Sequence, residues 1–207
     1  ICQKLDVHAG RDMVSAGVSI RRAFVQRLLN PWPDAVDTLA QLMQTGYKIG
    51  LISDCSPEVP LLWPETPFES LIDVPVFSCD VGLKKPDLRM YQSACDRLGV
   101  SPRDCLYIGD GGSRELPGAA AAGMHPVMIS VPEQPEDAYR HEAEEWHGLS
   151  ISALREVLVE QSDLRRKNAN LRAQTVLLLE PHKSFGILVA LARQPCGDIL
   201  HQINLLP

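Results

Sequence analysis

DCLYIGDGGSRELPGAAAAGMHPVM, residues Asp104 to Met128, is the stretch whose parsing decides the fold. An apolar run, Cys105 to Ile108, stops at Gly109 and delivers Asp110 to its end. A short apolar run bounded by turn residues predicts a buried strand. The alanine-rich Leu116 to Ala122 predicts a small helix suited to packing close on a sheet, and Pro126 to Val131 a further strand. In open α/β sheets, ligands sit just beyond the carboxyl ends of the strands. Asp110 there, with Glu115 following one turn later, is placed to hold a hard cation through oxygen ligands. Gly111 and Gly112 let the backbone approach an anion closely, and the helix start that follows favours negative charge. Cation and anion together suggest phosphate chemistry. The plainer alternative, that Asp110 caps the helix, stands beside it.

On either side of this stretch, helices and strands alternate. Arg11 to Asn30 has helical spacing, with Met13, Val18, Ile20, Phe24, Val25 and Leu28 as a broad apolar face. Pro31 and Pro33 end it. Asp34 to Thr45 reads as a second helix with Ala35, Leu39 and Leu42 on one side and Gly46 as its stop. Lys48 to Ser53 reads as a buried parallel strand, and Val74 to Ser78 as another followed by a loop through Gly82. Between them, Pro57, Pro60, Pro64 and Pro67 predict an irregular connection. A helix is expected over Asp87 to Leu98, with Met90, Tyr91 and Ala94 inward and Gly99 closing it. A last helix is expected from Ser150 to Glu160. This alternation predicts a parallel α/β sheet. From Gln161 the character changes: a polar, basic stretch precedes TVLLLE (Thr175 to Glu180), which is strand-like.

Composition narrows the function classes. The chain has 207 residues, 45% hydrophobic and 22% charged, which is the make-up of a globular protein. A net charge of −6 argues against a phosphate-backbone binder, which needs a basic face. No apolar run is long enough to span a bilayer, since Glu180, His182 and Lys183 interrupt the best candidate. Six cysteines lack CxxC spacing, so neither a zinc site nor a redox motif is indicated. Cys55, Cys79 and Cys105 lie in or beside apolar runs as expected of free thiols, which fits a reducing cytoplasm. The six histidines have no metal-ligand spacing, Trp63 and Trp146 read as packing residues, and the acidic run Glu142 to Glu145 as a solvated helix face.

Three elements line up at strand ends: Ser53 in GLISD, Lys85 in GLKKPD, and Asp110 with Glu115 in YIGDGGSRE. A hydroxyl, an ammonium and a pair of carboxylates are what phosphoryl transfer requires. Singly, each has a dull explanation, Lys85 as a solvated charge and Glu115 as an acid in a helix's first turn.

In this order the motifs resemble those of the haloacid dehalogenase-like (HAD) hydrolase superfamily, over about Pro31 to Leu158. GLISD resembles its second motif, GLKKPDLRMY its third and YIGDGGSRELPGAAAAGMHPV its fourth. The resemblance implies a Rossmann-like three-layer α/β core with a parallel sheet over residues 31–160, a remnant of a helical cap over 1–30, and a tail over 161–207. It implies that Ser53 and Asp54 bind phosphate, that Lys85 is the catalytic lysine rather than Lys84, and that Asp110 and Glu115 serve Mg²⁺. Glu115 stands where family members often carry aspartate. The implied substrate is a small phosphorylated metabolite.

One family motif is not found. Members begin with an apolar strand ending in Asp-x-Asp, whose first aspartate is the nucleophile. Here Asp6, in KLDVHAG, lacks that strand, and His8 stands where the second aspartate belongs. The expectation is a chain without its amino-terminal segment, opening at Ile1, whose sheet lacks the central strand between those ending at Ser53 and Gly109. That would bare backbone donors and acceptors. TVLLLE could fill the place, or belong to an unrelated tail. Two functions follow: a Mg²⁺-dependent phosphatase in a form lacking its nucleophile motif (or a cation-independent dehalogenase variant), and a non-catalytic phosphate- and metal-binding or scaffold protein. A dinucleotide-binding module ranks third, because GDGGSRE lacks the third glycine of that fingerprint.

Overall fold

The computed structural model describes residues 10–130 and 146–158. Asp6, His8, the acidic run at 142–145, TVLLLE and the rest of the tail lie outside the described residues. Element order is α1 (Arg11–Leu28), α2 (Ala35–Gln44), β1 (Gly50–Ser53), α3 (Glu58–Leu62), β2 (Val74–Phe77), α4 (Ser78–Val81), α5 (Leu88–Leu98), β3 (Leu106–Gly109), α6 (Glu115–Ala121), β4 (His125–Ile129) and β5 (Leu149–Ile151).

Among the described residues all strand pairs are parallel, and they fall into two sheets. In one, β1 pairs with β2 from Gly50↔Val74 to Ser53↔Phe77. In the other, β3, β4 and β5 run side by side, with Leu106↔His125 and Val127↔Leu149 in register. Among the described residues no strand joins β1 to β3. Both strands are buried along their full length, as strands covered on two faces are.

Helix α5 packs on β1 and β2 and α6 on β3 and β4, and the two helices touch. Met90, Tyr91, Ala94 and Cys95 of α5 and Leu116 and Ala119 of α6 are fully buried. Asp87 caps α5, its Oδ1 accepting from the Arg89 amide at 3.0 Å, and Gly99 closes it in the left-handed region at φ 66°. Lys48 Nζ donates to the Leu98 carbonyl at 2.6 Å, tying the start of β1 to the end of that helix.

Three expectations need correcting. The stretch 57–67 is ordered, with α3 and a 3₁₀ turn at Trp63–Glu65. Pro60 is the third residue of α3 and Pro64 lies in the first turn of the 3₁₀ segment, where an amide has no intrahelical partner to lose. Trp63 is buried there, stacked on Phe68 and edge-on to Phe77, a packing residue as expected. Residues 78–81 form a short helix, α4, where a loop was expected. Ser150 starts no helix: Leu149, Ser150 and Ile151 form edge strand β5, with Ile151 buried and Ser150 exposed, and helical geometry begins only at residue 156.

Helix α1 has the expected span but buries only Val25, leaving Met13, Val18, Ile20 and Phe24 exposed. It is held by Arg21, which donates to Glu58 Oε1 and Ser56 Oγ at 3.1 Å each, and by an ion pair between Arg22 and Glu65. No helix among the described residues is long and apolar enough to cross a membrane.

Candidate functional site

The carboxyl ends of β1 and β3 converge on Lys85, which lies in the loop between α4 and α5. Ser53, the last residue of β1, is fully buried, and its Oγ makes no hydrogen bond of good geometry, the Cys55 thiol being near enough only for a weak interaction. Asp54 follows, and its Oδ1 accepts from the Lys85 amide at 3.0 Å. This contact carries the lysine from its loop to the end of β1.

Lys85 is 5% exposed, and its Nζ stands 2.6 Å from Glu115 Oε2. The same oxygen accepts from Tyr107 Oη at 3.0 Å, while Glu115 Oε1 accepts from the Gly111 amide at 3.3 Å. Tyr91 Oη donates to the Glu115 carbonyl at 3.0 Å. Glu115 is thus held at both carboxylate oxygens and at its backbone, with no exposed surface. Burial pushes its carboxyl up from 4.5 to about 7; the negative charge of Asp110 adds to the rise, while Lys85 and the Tyr107 hydroxyl oppose it.

The local sequence makes this geometry possible. Tyr107 and Gly109 lie two apart in β3 and therefore share a face. A Cβ on Gly109 would stand 2.1 Å from Glu115 Oε1, so only glycine leaves room for the carboxylate. Gly118 plays the same part between helices, since a Cβ there would meet Tyr91 Oη at 2.5 Å. Asp110 is 7% exposed, and its Oδ1 accepts from the Gly112 amide at 2.9 Å. The chain then passes through Gly111 at φ 88°, Ser113 at φ 55° and Arg114 at φ 53°. Two non-glycine residues in the left-handed region store strain of about 1–3 kcal/mol each, a feature that clusters at binding loops.

A cleft of about 670 Å³ opens beside these groups. It is lined by Phe24 and Leu28 of α1, by Asp54 and Cys55 after β1, and by Lys85 and Arg114. Of the residues singled out from sequence, the fold brings Ser53, Asp54, Lys85, Asp110 and Glu115 together. Sequence reasoning gave Tyr107 no role and Tyr91 only an inward one, and it set the Gly111 backbone against a ligand anion, whereas the Gly111 amide meets the Glu115 carboxylate. Tyr107 carried one readable signal, a hydroxyl inside an otherwise aliphatic buried strand.

The model of the haloacid dehalogenase-like hydrolases matches residues 6–123, more than half of the chain. The chain belongs to that family. HAD relatives of both chemistries are similar to it. An (S)-2-haloacid dehalogenase 4A of Burkholderia cepacia is 30% identical over 115 residues, 55% of this chain and 49% of that protein. A glyceraldehyde 3-phosphate phosphatase of Methanopyrus kandleri is 33% identical over 104 residues, 49% of this chain and 44% of that one. The solved structure of a HAD phosphatase from Thermococcus onnurineus superposes with a TM-score of 0.52 at 28% identity, covering 63% of this chain and 57% of that one. The chain spans about half the length of the curated relatives it matches.

HAD phosphatases use Mg²⁺, and the donor set can be tested for it. Among the described residues no group of three or more His, Cys, Asp or Glu side chains is disposed around one point. Magnesium is usually held by only one or two carboxylates, completed by water and substrate phosphate oxygens. Asp110, nearly buried at the end of β3, fits that role. Glu115 turns its oxygens to Lys85, Tyr107 and Gly111.

Proposed function

We propose that the cluster at the carboxyl ends of β1 and β3, beside the cleft that Asp54 and Lys85 line, is the phosphate-ester site of a HAD hydrolase acting on a small phosphorylated metabolite. The observation that carries this reading is the buried, unpartnered Ser53 Oγ at the end of β1. Leaving a buried hydroxyl unsatisfied costs about 1–3 kcal/mol, and a phosphate oxygen accepting from it would offset that. Lys85 supplies positive charge in a site with little solvent, where charge acts strongly. Its direction is set from two sides, by Glu115 at Nζ and by Asp54 at the amide. Asp110 would hold Mg²⁺, which when bound neutralises phosphate charge. Asp54 and Glu115 serve as positioning residues in this account, so that Glu115 acts through Lys85.

A dehalogenase reading has one observation on its side. Glu115 is committed to Lys85, which leaves Asp110 as the carboxylate facing a cation, and a displacement of halide needs no cation. The test is hydrolysis of p-nitrophenyl phosphate by the full chain with and without Mg²⁺. Turnover that needs Mg²⁺ and vanishes in Asp110→Ala supports the phosphatase. Cation-independent chloride release from a 2-chloro acid supports the dehalogenase. Neither activity in a folded sample that still binds phosphate leaves the non-catalytic binding protein.

A further inference from the structure

Strands β1 and β2 are parallel, and their register ends at Ser53↔Phe77. Two residues past the ends of these strands stand Cys55, in the loop after β1, and Cys79, the second residue of α4. The two sulfurs are 3.8 Å apart, and both residues are half-buried. Ser78 fixes the pair from the backbone side: its Oγ accepts from the Cys55 amide at 2.8 Å and donates to the Cys55 carbonyl at 3.3 Å. Cys55 also lines the cleft, immediately after Asp54, which holds the Lys85 amide.

We propose that Cys55 and Cys79 form a modification site, a reversible disulfide that takes its oxidising equivalents from a small disulfide of the glutathione type. One cysteine gives up its proton and attacks a sulfur of the external disulfide, and a thiolate leaves and takes up a proton. The second cysteine, losing its own proton, attacks the protein sulfur of the mixed disulfide. The Cys55–Cys79 bond forms, and the second small thiol departs. Two protein thiols are oxidised, and one external disulfide is reduced to two thiols.

Burial pushes the Cys55 thiol up to about 12, with Cys79 adding, and burial raises Cys79 as well. Neither is therefore an activated nucleophile, and exchange is slow. The same protonation leaves the reduced form without thiolate stabilisation, so the disulfide is favoured once made. Closing the sulfurs from 3.8 Å to a bond of about 2.05 Å draws Cys55 toward α4 and constrains the loop that carries Asp54. The consequence for ligand binding rests on reading the cleft as a phosphate site. A second thiol pair supplies an internal control: Cys95 and Cys105 have sulfurs 3.9 Å apart but no exposed surface for an oxidant to reach.

The test incubates the full chain in glutathione redox buffers, then unfolds, alkylates and digests it. Cleavage after Lys48 and Lys84 releases one peptide, 49–84, holding both cysteines. The expected result is that this peptide escapes alkylation and loses two hydrogens, reversibly with reductant, while Cys95 and Cys105 remain alkylated. Calorimetry should then find inorganic phosphate bound about tenfold more weakly by the oxidised protein, with no such change in Cys79→Ser. Alkylation of both Cys55 and Cys79 throughout, or a persistent mixed disulfide, would overturn the proposal. A disulfide that leaves phosphate affinity unchanged would overturn its regulatory consequence. A disulfide in a protein that binds no phosphate in either state would uphold the modification and refute the phosphate site.

Discussion

Replacing Lys85 by methionine removes the ammonium beside Glu115 while keeping a side chain of similar length. The side chains of both partners are at most 1% exposed, so water does not take the ammonium's place. In the native protein burial already raises the Glu115 carboxyl from 4.5 to about 7, with Lys85 opposing. A carboxyl raised on folding gives a contribution to stability that is complete below pH 4.5 and is lost as pH rises through about 7. Without Lys85 the folded value moves higher still, and the loss continues above pH 7. Each pH unit of that continuation is worth about 1.4 kcal/mol. The gap in stability between Lys85→Met and the native protein should be constant below pH 6, at about 1–2 kcal/mol for the lost hydrogen bond. It should widen by roughly 3 kcal/mol between pH 7 and 9. With a urea dependence of about 2 kcal/mol per molar, the two unfolding midpoints should separate by a further 1.5 M or so over that range. A gap that stays constant from pH 6 to 9 would refute the assignment of Lys85 as the counter-charge of Glu115.

Gly109→Ala places a methyl group 2.1 Å from Glu115 Oε1 and must expel the carboxylate; urea unfolding should find a loss of about 3 kcal/mol, and a loss under 0.5 would contradict the packing. Ser53→Ala removes an unpartnered buried hydroxyl, so thermal unfolding of the ligand-free protein should be unchanged or stabilised by up to about 1 kcal/mol. Trp63→Ala removes a buried ring packed against Phe68 and Phe77, and calorimetric unfolding should register about 3–5 kcal/mol of destabilisation.

Much of this was legible in the chain because the signals were local. The runs ending at Ser53 and Gly109 are apolar throughout and stop at turn residues, so strands and their carboxyl ends could be placed. Asp87 and Gly99 marked the ends of α5 by cap chemistry. Strand β5 was missed because three residues carry one alternation, too short to separate period 2 from the helical spacing around it. The prolines of 57–67 misled because residue type signals a helix breaker, whereas first-turn placement, which proline tolerates, is visible only in the fold. The apolar face of α1 was read correctly as a face, but periodicity does not say what covers it. Within the site, residue types at strand ends were readable. That Glu115 faces Lys85, 30 residues away, was not, because it depends on Gly109 leaving space and on Tyr107 sharing its side of β3.

The most direct test of the phosphate site is a calorimetric titration of inorganic phosphate into the native chain and into Ser53→Ala, each with and without Mg²⁺. The native chain should bind phosphate, Mg²⁺ should tighten the binding, and Ser53→Ala should weaken it by about tenfold while remaining folded. Equal affinity in the two proteins, with no effect of Mg²⁺ on either, would contradict the phosphate site.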